Sequence, residues 1–233
     1  EGIVDRNGAR FETGAWRDED GNERMVTTFV VVVEPRTVMN LGWVQAAPAP
    51  PDSFAIELLP LREAPRRPLA PLLQEAARGG FAFPLPASQG PYLCTQGVGG
   101  FLTHFFPESY FAIDLRCALG TPVLSIGDGV VRDVRASRRC GGIHAKNLLS
   151  WNSVSVELAC GAIVEYLHIR PGSAQVKRGD AVVRGQEICE SGDIGFAPEP
   201  HLHIELHAAT DPDGPSLPLE FRSPSGALFL PIA

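Results

Sequence analysis

No apolar run in this chain approaches the ~20 residues that a membrane-spanning helix needs. The longest, residues 28–33 within TTFVVVVEP, reads as a buried strand. The five cysteines (Cys94, Cys117, Cys140, Cys160 and Cys189) form no CxxC pair, which argues against a zinc knuckle or a thioredoxin-type redox site. One or two disulfides in an exported protein fit the count and leave at least one free thiol; reduced, buried cysteines are the other reading. Basic runs and interleaved aromatic and basic residues are also missing, and the formal net charge is −7, so a nucleic-acid partner is not expected. The sequence starts at Glu1 with no methionine and no signal-like segment, as expected of a mature or trimmed chain. Helical periodicity is scarce, and no internal repeat is apparent.

What the chain does have is turn formers: 24 Gly and 21 Pro in 233 residues, with 44% hydrophobic content. This suits a β-rich protein with room for one large domain and a small companion. Residues 1–44 carry three short β-like runs, ARFETGAW, RMVTTFVVVV and RTVMNLGWVQ, with the polar turn RDEDGNE after the first. They predict a hairpin or three-stranded sheet. The proline-rich AAPAPPDS at 46–53 reads as a connector, and residues 60–71 are again rich in Pro and Arg. LLQEAARGG at 72–80 is a short helical candidate stopped by Gly79 and Gly80. From about Phe81 the texture becomes continuous strand and turn. The expected organisation is a β-rich accessory region at 1–80 and an antiparallel all-β domain at 81–233.

Within that domain the pattern predicts strands at 110–116, 122–126, 129–135, 153–158, 163–169, 175–176, 187–190 and 201–207. GDG at 127–129, ACG at 159–161 and RGD at 178–180 are the turns between them, the last in a VKRGDAVVRGQ context that favours a turn over an adhesion motif. PHLHIELH, at 200–207, holds three of the six histidines. His201, His203, Glu205 and His207 alternate with Leu202, Ile204 and Leu206, so a strand places the polar set on one face. His201 and His203 are then about 7 Å apart at Cα, whereas His207 lies roughly 13 Å beyond His203, too far to share one ion. A pair of histidines on one strand face is also compatible with a purely structural role.

Four stretches occur in order: THFFPESYFAIDL, LGTPVLSIGDGVV, VEYLHI and PHLHIEL. Together with Gly120 to Val123, Gly127 to Val130 and Val176 to Gln186, they resemble the lysostaphin-like (LytM-type) zinc endopeptidases over residues 95–210, about half of the chain. The resemblance implies an antiparallel sheet domain with a substrate groove, of the LytM or duplicated-hybrid-motif kind. It implies Zn2+ as cofactor, with His104, Asp114 and His203 as ligands and His168 and His201 as the catalytic pair. One departure is the spacing: nine residues separate His104 from Asp114, where the commonest family pattern has three, although the FAID text at 111–114 suits a longer-spaced variant. No other histidine precedes Asp114.

The donor set makes chemical sense by itself. Two neutral imidazoles and a carboxylate leave a divalent zinc with a net charge of about +1 and an open position, enough to acidify a bound water toward pKa ~7 and to polarise a peptide carbonyl. The residues do not decide which of His168 and His201 is the base. By strand parity Val164, Tyr166 and His168 share one face, and Glu165, Leu167 and Ile169 the other. Glu205 could orient a ligand. His144 belongs to an insertion at 137–149 and reads as loop or substrate rim. Tyr110 and Asn152 could reach the groove, and Cys117 lies on a neighbouring face or beyond the strand end. The substrate implied by the resemblance is a peptide of peptidoglycan, in cross-links or stems, or a glycine-rich peptide, with a secreted, periplasmic or cell-envelope location. The alternative is a non-enzymatic LytM-like domain that binds wall or activates an amidase. The N-terminal region could be accessory or inhibitory.

Overall fold

The computed structural model describes residues 3–4, 10–17, 20–30, 80–100, 102–104, 106–143, 147–223, 227–229 and 231. The third N-terminal run at 36–45, the proline-rich connectors, the helical candidate up to residue 79, and His144 lie outside them. At the N-terminus, β1 (Ile3–Val4), β2 (Arg10–Arg17) and β3 (Glu23–Val30) form an antiparallel sheet. The β2–β3 hairpin matches the first two expected runs, with the polar turn between them. The rest of the described chain contributes β4 (Leu93–Gln96), β5 (Ile113–Arg116), β6 (Pro122–Leu124), β7 (Gly129–Arg135), β8 (Gly141–Gly142), β9 (Ser153–Leu158), β10 (Ala162–Leu167), β11 (Ala181–Val182), β12 (Glu187–Glu190), β13 (His201–Ala208), β14 (Phe221–Arg222) and β15 (Leu228–Phe229). Among the described residues, helical structure is limited to the short 3-10 turn Ala87–Gln89 and a 3-10 residue at Asn147.

The centre is a seven-stranded antiparallel sheet in the order β11-β7-β9-β10-β13-β5-β4. Its registers explain the sequence alternation. Ile113 opposes Ile204, Leu115 opposes Leu202, Tyr166 opposes Ile204 and Val154, and Val164 opposes Leu206 and Val156. Directly opposed residues share a face, so these side chains form one continuous apolar layer. That layer packs on Val123, Ile126, Ile188, Cys189, Leu219 and Phe221, and the small β6–β12 sheet supplies part of this second layer. At about 1.5–3 kcal/mol per fully buried aliphatic side chain, this layer is what fixes the register. Slipping any strand by one residue would send its apolar set to the other face.

That other face carries polar side chains in the same rows. His203 opposes Asp114 on one side and Leu167 on the other, Glu205 opposes Glu165, and His201 opposes Arg116. Of these, Asp114, His201, His203 and Glu205 are nonetheless buried, so their polarity must be satisfied among themselves.

Several boundaries differ from the sequence expectation. Residues 110–112 are turn rather than strand, and β5 starts at Ile113. Residues 175–176 form no strand; the short strand pairing with β7 is Ala181–Val182, just past the RGD turn. Strand β4, which the sequence pattern did not single out, closes the sheet edge beside β5. The strand expected to run to Ile169 ends at Leu167, because His168 takes a left-handed conformation with φ of 63°. All five cysteines are free thiols, Cys117 and Cys189 buried and the other three partly so, and no disulfide forms. Burial pushes the Cys189 thiol well above its ordinary value.

Candidate metal and catalytic centre

Asp114 and His203 meet because β5 and β13 are adjacent and in register, and His104 arrives from the turns between β4 and β5. His104 is fully buried rather than at the surface. Its Nδ1 lies 2.9 Å from the carbonyl of Gly97, so the N–H sits there and Nε2 is left with its lone pair facing inward. His203 is held the other way round. Its Nε2 is 3.1 Å from Glu205 Oε2, which leaves Nδ1 as the inward atom, 2.8 Å from Asp114 Oδ1.

His104 Nε2, Asp114 Oδ1 and His203 Nδ1 converge, all within 4.8 Å of one another. His104 Nε2 is 3.3 Å from His203 Nδ1 and 3.3 Å from Asp114 Oδ1. Two ligands about 2.05 Å from a tetrahedral ion are ~3.3 Å apart, so two of the three edges of the cluster have that spacing, while the third, His203 Nδ1 to Asp114 Oδ1, is at hydrogen-bond length. Two imidazole nitrogens and a carboxylate oxygen this close need a shared proton or a cation among them. These three residues could therefore hold a metal ion, and their N and O donors suit zinc.

The electrostatics agree with a cation-seeking pocket. Burial by itself would raise the Asp114 carboxyl, but His201, His104 and His203 hold it well below the usual carboxylate range. For His203, burial pulls downward and is outweighed by the carboxylates of Asp114 and Glu205, which raise its pKa to about 10. Without a metal the ring thus carries a proton that an incoming cation would displace. Glu205, despite burial that opposes its charge, is lowered to about 2 by His203 and His207.

His168 and His201 line the other side. Their ring centroids are 4.6 Å apart, and His168 stands perpendicular to His203 at 5.8 Å. The strand register shows that parity alone would turn His168 away. Leu167 opposes His203, so the residue after it belongs to the apolar face. The left-handed φ at His168 reverses this and brings the ring back to the polar face. A non-glycine residue in that region is uncommon and is found at functional positions more often than elsewhere. The expected face assignment for His168 is therefore corrected: it joins the side that Glu165 and Leu167 occupy.

Its Nδ1–H donates to the Ile194 carbonyl at 2.6 Å, leaving Nε2 as an acceptor. Burial, reinforced by His201 and His203, keeps the ring well below the ordinary imidazole pKa and hence neutral. Gly192 allows this packing, since a Cβ there would lie 2.5 Å from the His168 carbonyl oxygen. In His201, Nδ1 is tied to the Glu199 carbonyl at 2.8 Å, and Nε2 points at Asp114 Oδ1 from 3.7 Å. The structure thus gathers all five expected residues, His104, Asp114, His168, His201 and His203, around one point.

Three more residues take part. Gln96, absent from the sequence expectation, donates from Nε2 to Asp114 Oδ2 at 2.8 Å, while its Oε1 accepts from the backbone N–H groups of Leu102 and Thr103. It fixes both the carboxylate and the segment that delivers His104. A register shift between Cys94 and Gln96 turns this side chain to the polar face, and nothing in PYLCTQG signals it. Glu205 does orient His203, and it also reaches His207 at 3.4 Å. His207, expected to be unconnected, is thereby linked to the site through Glu205, although it remains outside the converging donors. Asn152 does not face the groove; it clamps the backbone of Arg138 and Ile169. Tyr110 is partly exposed and packs on Phe111 and over Gly99.

Residues 108–215 match the model of Peptidase family M23, a span that holds four of the five clustered residues and begins just after His104. The chain is 35% identical over 94 residues to a metalloprotease of Buchnera aphidicola, covering 40% of this chain and 22% of the relative. It is 37% identical over 93 residues to the peptidoglycan DD-endopeptidase ShyA of Vibrio cholerae, 40% of this chain and 19% of that protein. A glycyl-glycine endopeptidase, ALE-1 of Staphylococcus capitis, is 29% identical over 116 residues, 50% of this chain and 27% of its own. The match therefore spans about a fifth to a quarter of the length of these relatives.

Proposed function

We propose that the chain, whose residues 108–215 match the model of Peptidase family M23, is a zinc-dependent endopeptidase of that family that hydrolyses peptide bonds in peptidoglycan cross-links or stem peptides. The observation that carries this reading is the convergence of His104 Nε2, Asp114 Oδ1 and His203 Nδ1 beside two further histidines whose remaining ring nitrogens face the same space. His104, Asp114 and His203 are the ligands. A zinc ion held there would polarise the scissile carbonyl and lower the pKa of the attacking water.

The chain's own groups do the rest. His168, neutral and fixed by Ile194, accepts the proton of the water at Nε2. His201, with Nδ1–H on the Glu199 carbonyl, stabilises the oxyanion by donating from Nε2 in its doubly protonated form, and the proton that His168 accepted passes to the leaving amine. Gln96 and Glu205 hold Asp114 and His203 in position. A non-enzymatic domain would have no need for four imidazoles with fixed tautomers around one carboxylate. The name of the Vibrio relative, a peptidoglycan DD-endopeptidase, supports a peptidoglycan substrate, and that of the Staphylococcus relative a glycyl-glycine bond. We place the protein outside the cytoplasm, in the periplasm, envelope or medium, with the peptidase domain at 81–233 and an accessory region at 1–80. No helix among the described residues is long and apolar enough to cross a membrane.

The test is to incubate purified protein with isolated sacculi and with oligoglycine, with and without a chelator. Release of new amino termini that the chelator abolishes and zinc restores is the expected result. No cleavage of either substrate by zinc-loaded protein would refute the proposal.

A further inference from the structure

Strand β2 ends against the loop that orients His168. Arg17, its last residue, places Nη2 2.8 Å from Asp193 Oδ1. The backbone of β2 pairs there with β8, Trp16 opposite Gly142 and Arg17 opposite Gly141. On its other side the β8 segment bridges to Gly195, whose N–H donates to the Cys140 carbonyl at 3.0 Å. The approach is close, for a Cβ on Gly141 would lie 2.2 Å from the Asp193 carbonyl oxygen. Between Asp193 and Gly195 sits Ile194, the carbonyl that accepts from His168 Nδ1 at 2.6 Å. The hairpin therefore holds residues 193–195 by a side chain and, through β8, by backbone contacts.

A cleft of about 380 Å³ lies at this junction, with Arg17, Asp20 and Gly21 on the hairpin side and Leu119, Arg170 and Ile194 on the other. The hairpin thus forms a wall of the space that adjoins the His168 loop.

We infer that Arg17 is a positioning residue for His168, so that the N-terminal hairpin belongs to the catalytic apparatus. The inference rests on the proposed role of His168. His168 occupies a left-handed conformation at a strand end, where its ring direction depends on the acceptor at Ile194 and on the packing of the loop around it. An ion pair as exposed as Arg17–Asp193, at 31% and 25%, contributes little to global stability. Its effect is the placement of the loop, and placement errors of about 1 Å can cost on the order of 100-fold in rate.

The experiment compares wild type with R17A, R17K and the charge-swapped pair R17D/D193R, all zinc-loaded. In R17A, kcat falls on the order of tenfold while KM changes less than about twofold, because the orientation of a reacting group is lost and not substrate affinity. R17K and the swapped pair recover most of the loss, and zinc content and melting temperature stay at wild-type values. Amide exchange at Gly195 speeds up in R17A and slows again in R17K. Unchanged kcat in R17A, a loss confined to KM, or no recovery in the swapped pair would each overturn the inference. If wild-type protein cleaves nothing, the functional proposal fails on its own, and unaltered Gly195 exchange in R17A still decides against the brace.

Discussion

Glu205→Gln removes one charge at nearly constant volume from a carboxylate that contacts two imidazoles. Glu205 Oε2 lies 3.1 Å from His203 Nε2 and Oε1 3.4 Å from His207 Nε2, in a site closed to solvent. Two consequences can be sized. For metal binding, loss of a buried carboxylate behind a ligating histidine weakens affinity on the order of 10- to 100-fold, about 1.4–2.8 kcal/mol. For the metal-free protein, the Glu205 pKa of about 2 against an ordinary 4.5 corresponds to roughly 3 kcal/mol of stability at neutral pH. The sign follows from the depressed value: this stability is complete above pH 4.5 and is lost as pH falls through about 2. Denaturant unfolding of chelated wild type and E205Q between pH 7 and pH 2 measures it, because the gap between the two curves isolates this group from the other carboxylates. The gap is widest at neutral pH and closes toward pH 2, while zinc competition against a chromophoric chelator shows the weaker binding. Parallel stability curves together with equal zinc affinity would refute the role assigned to Glu205.

Replacing either His203 or Asp114 by Ala abolishes both bound zinc and hydrolysis, whereas H168A and H201A keep stoichiometric zinc and lose activity; elemental analysis beside a sacculus assay separates the two classes, and intact activity in H168A would sink its assignment. Gln96→Leu leaves Asp114 Oδ2 and the N–H groups of Leu102 and Thr103 without their partner, so it costs on the order of 1–3 kcal/mol per buried group and loosens His104, readable as a lower melting temperature and weaker zinc binding together. His168→Gly removes catalysis but relieves the left-handed backbone, while His168→Val, β-branched in the same conformation, is less stable than the Gly variant by at least about 1–2 kcal/mol; denaturant midpoints for the two variants check the order. Tyr166→Phe deletes the hydroxyl that accepts from the buried Ile126 N–H at 2.8 Å and lowers stability by about 1–3 kcal/mol without altering zinc content.

Much of the sheet was legible because its strands obey a period of two over a single buried face. β7, β9 and β12 coincide with the expected residues to both ends, and in β13 the alternation of His201, His203 and Glu205 with Leu202 and Ile204 places the polar row as the registers do. Where the chain departs from that period, parity misleads. Parity puts His168 on the wrong face because a single left-handed residue undoes the alternation after Leu167. Gln96 carries no local signal because a register shift beside β5 turns it toward Asp114. The distance of His207 from His203 along the strand excludes a shared ion. It does not exclude a relay through the intervening Glu205.

By itself, the amino-acid order determined the all-β class and the apolar and polar rows of the central strands, and its ordered motifs marked five chemically capable side chains through their resemblance to a known family. The reason is that hydrophobic periodicity and donor chemistry are local properties of a chain. Only the tertiary structure decided which nitrogen of each histidine faces inward, because that choice belongs to distant partners: Gly97 for His104, Ile194 for His168, Glu199 for His201 and Glu205 for His203. It alone also placed Arg17 against Asp193, 176 positions away in sequence. No local pattern encodes a contact that exists only when two strands and a loop are folded together.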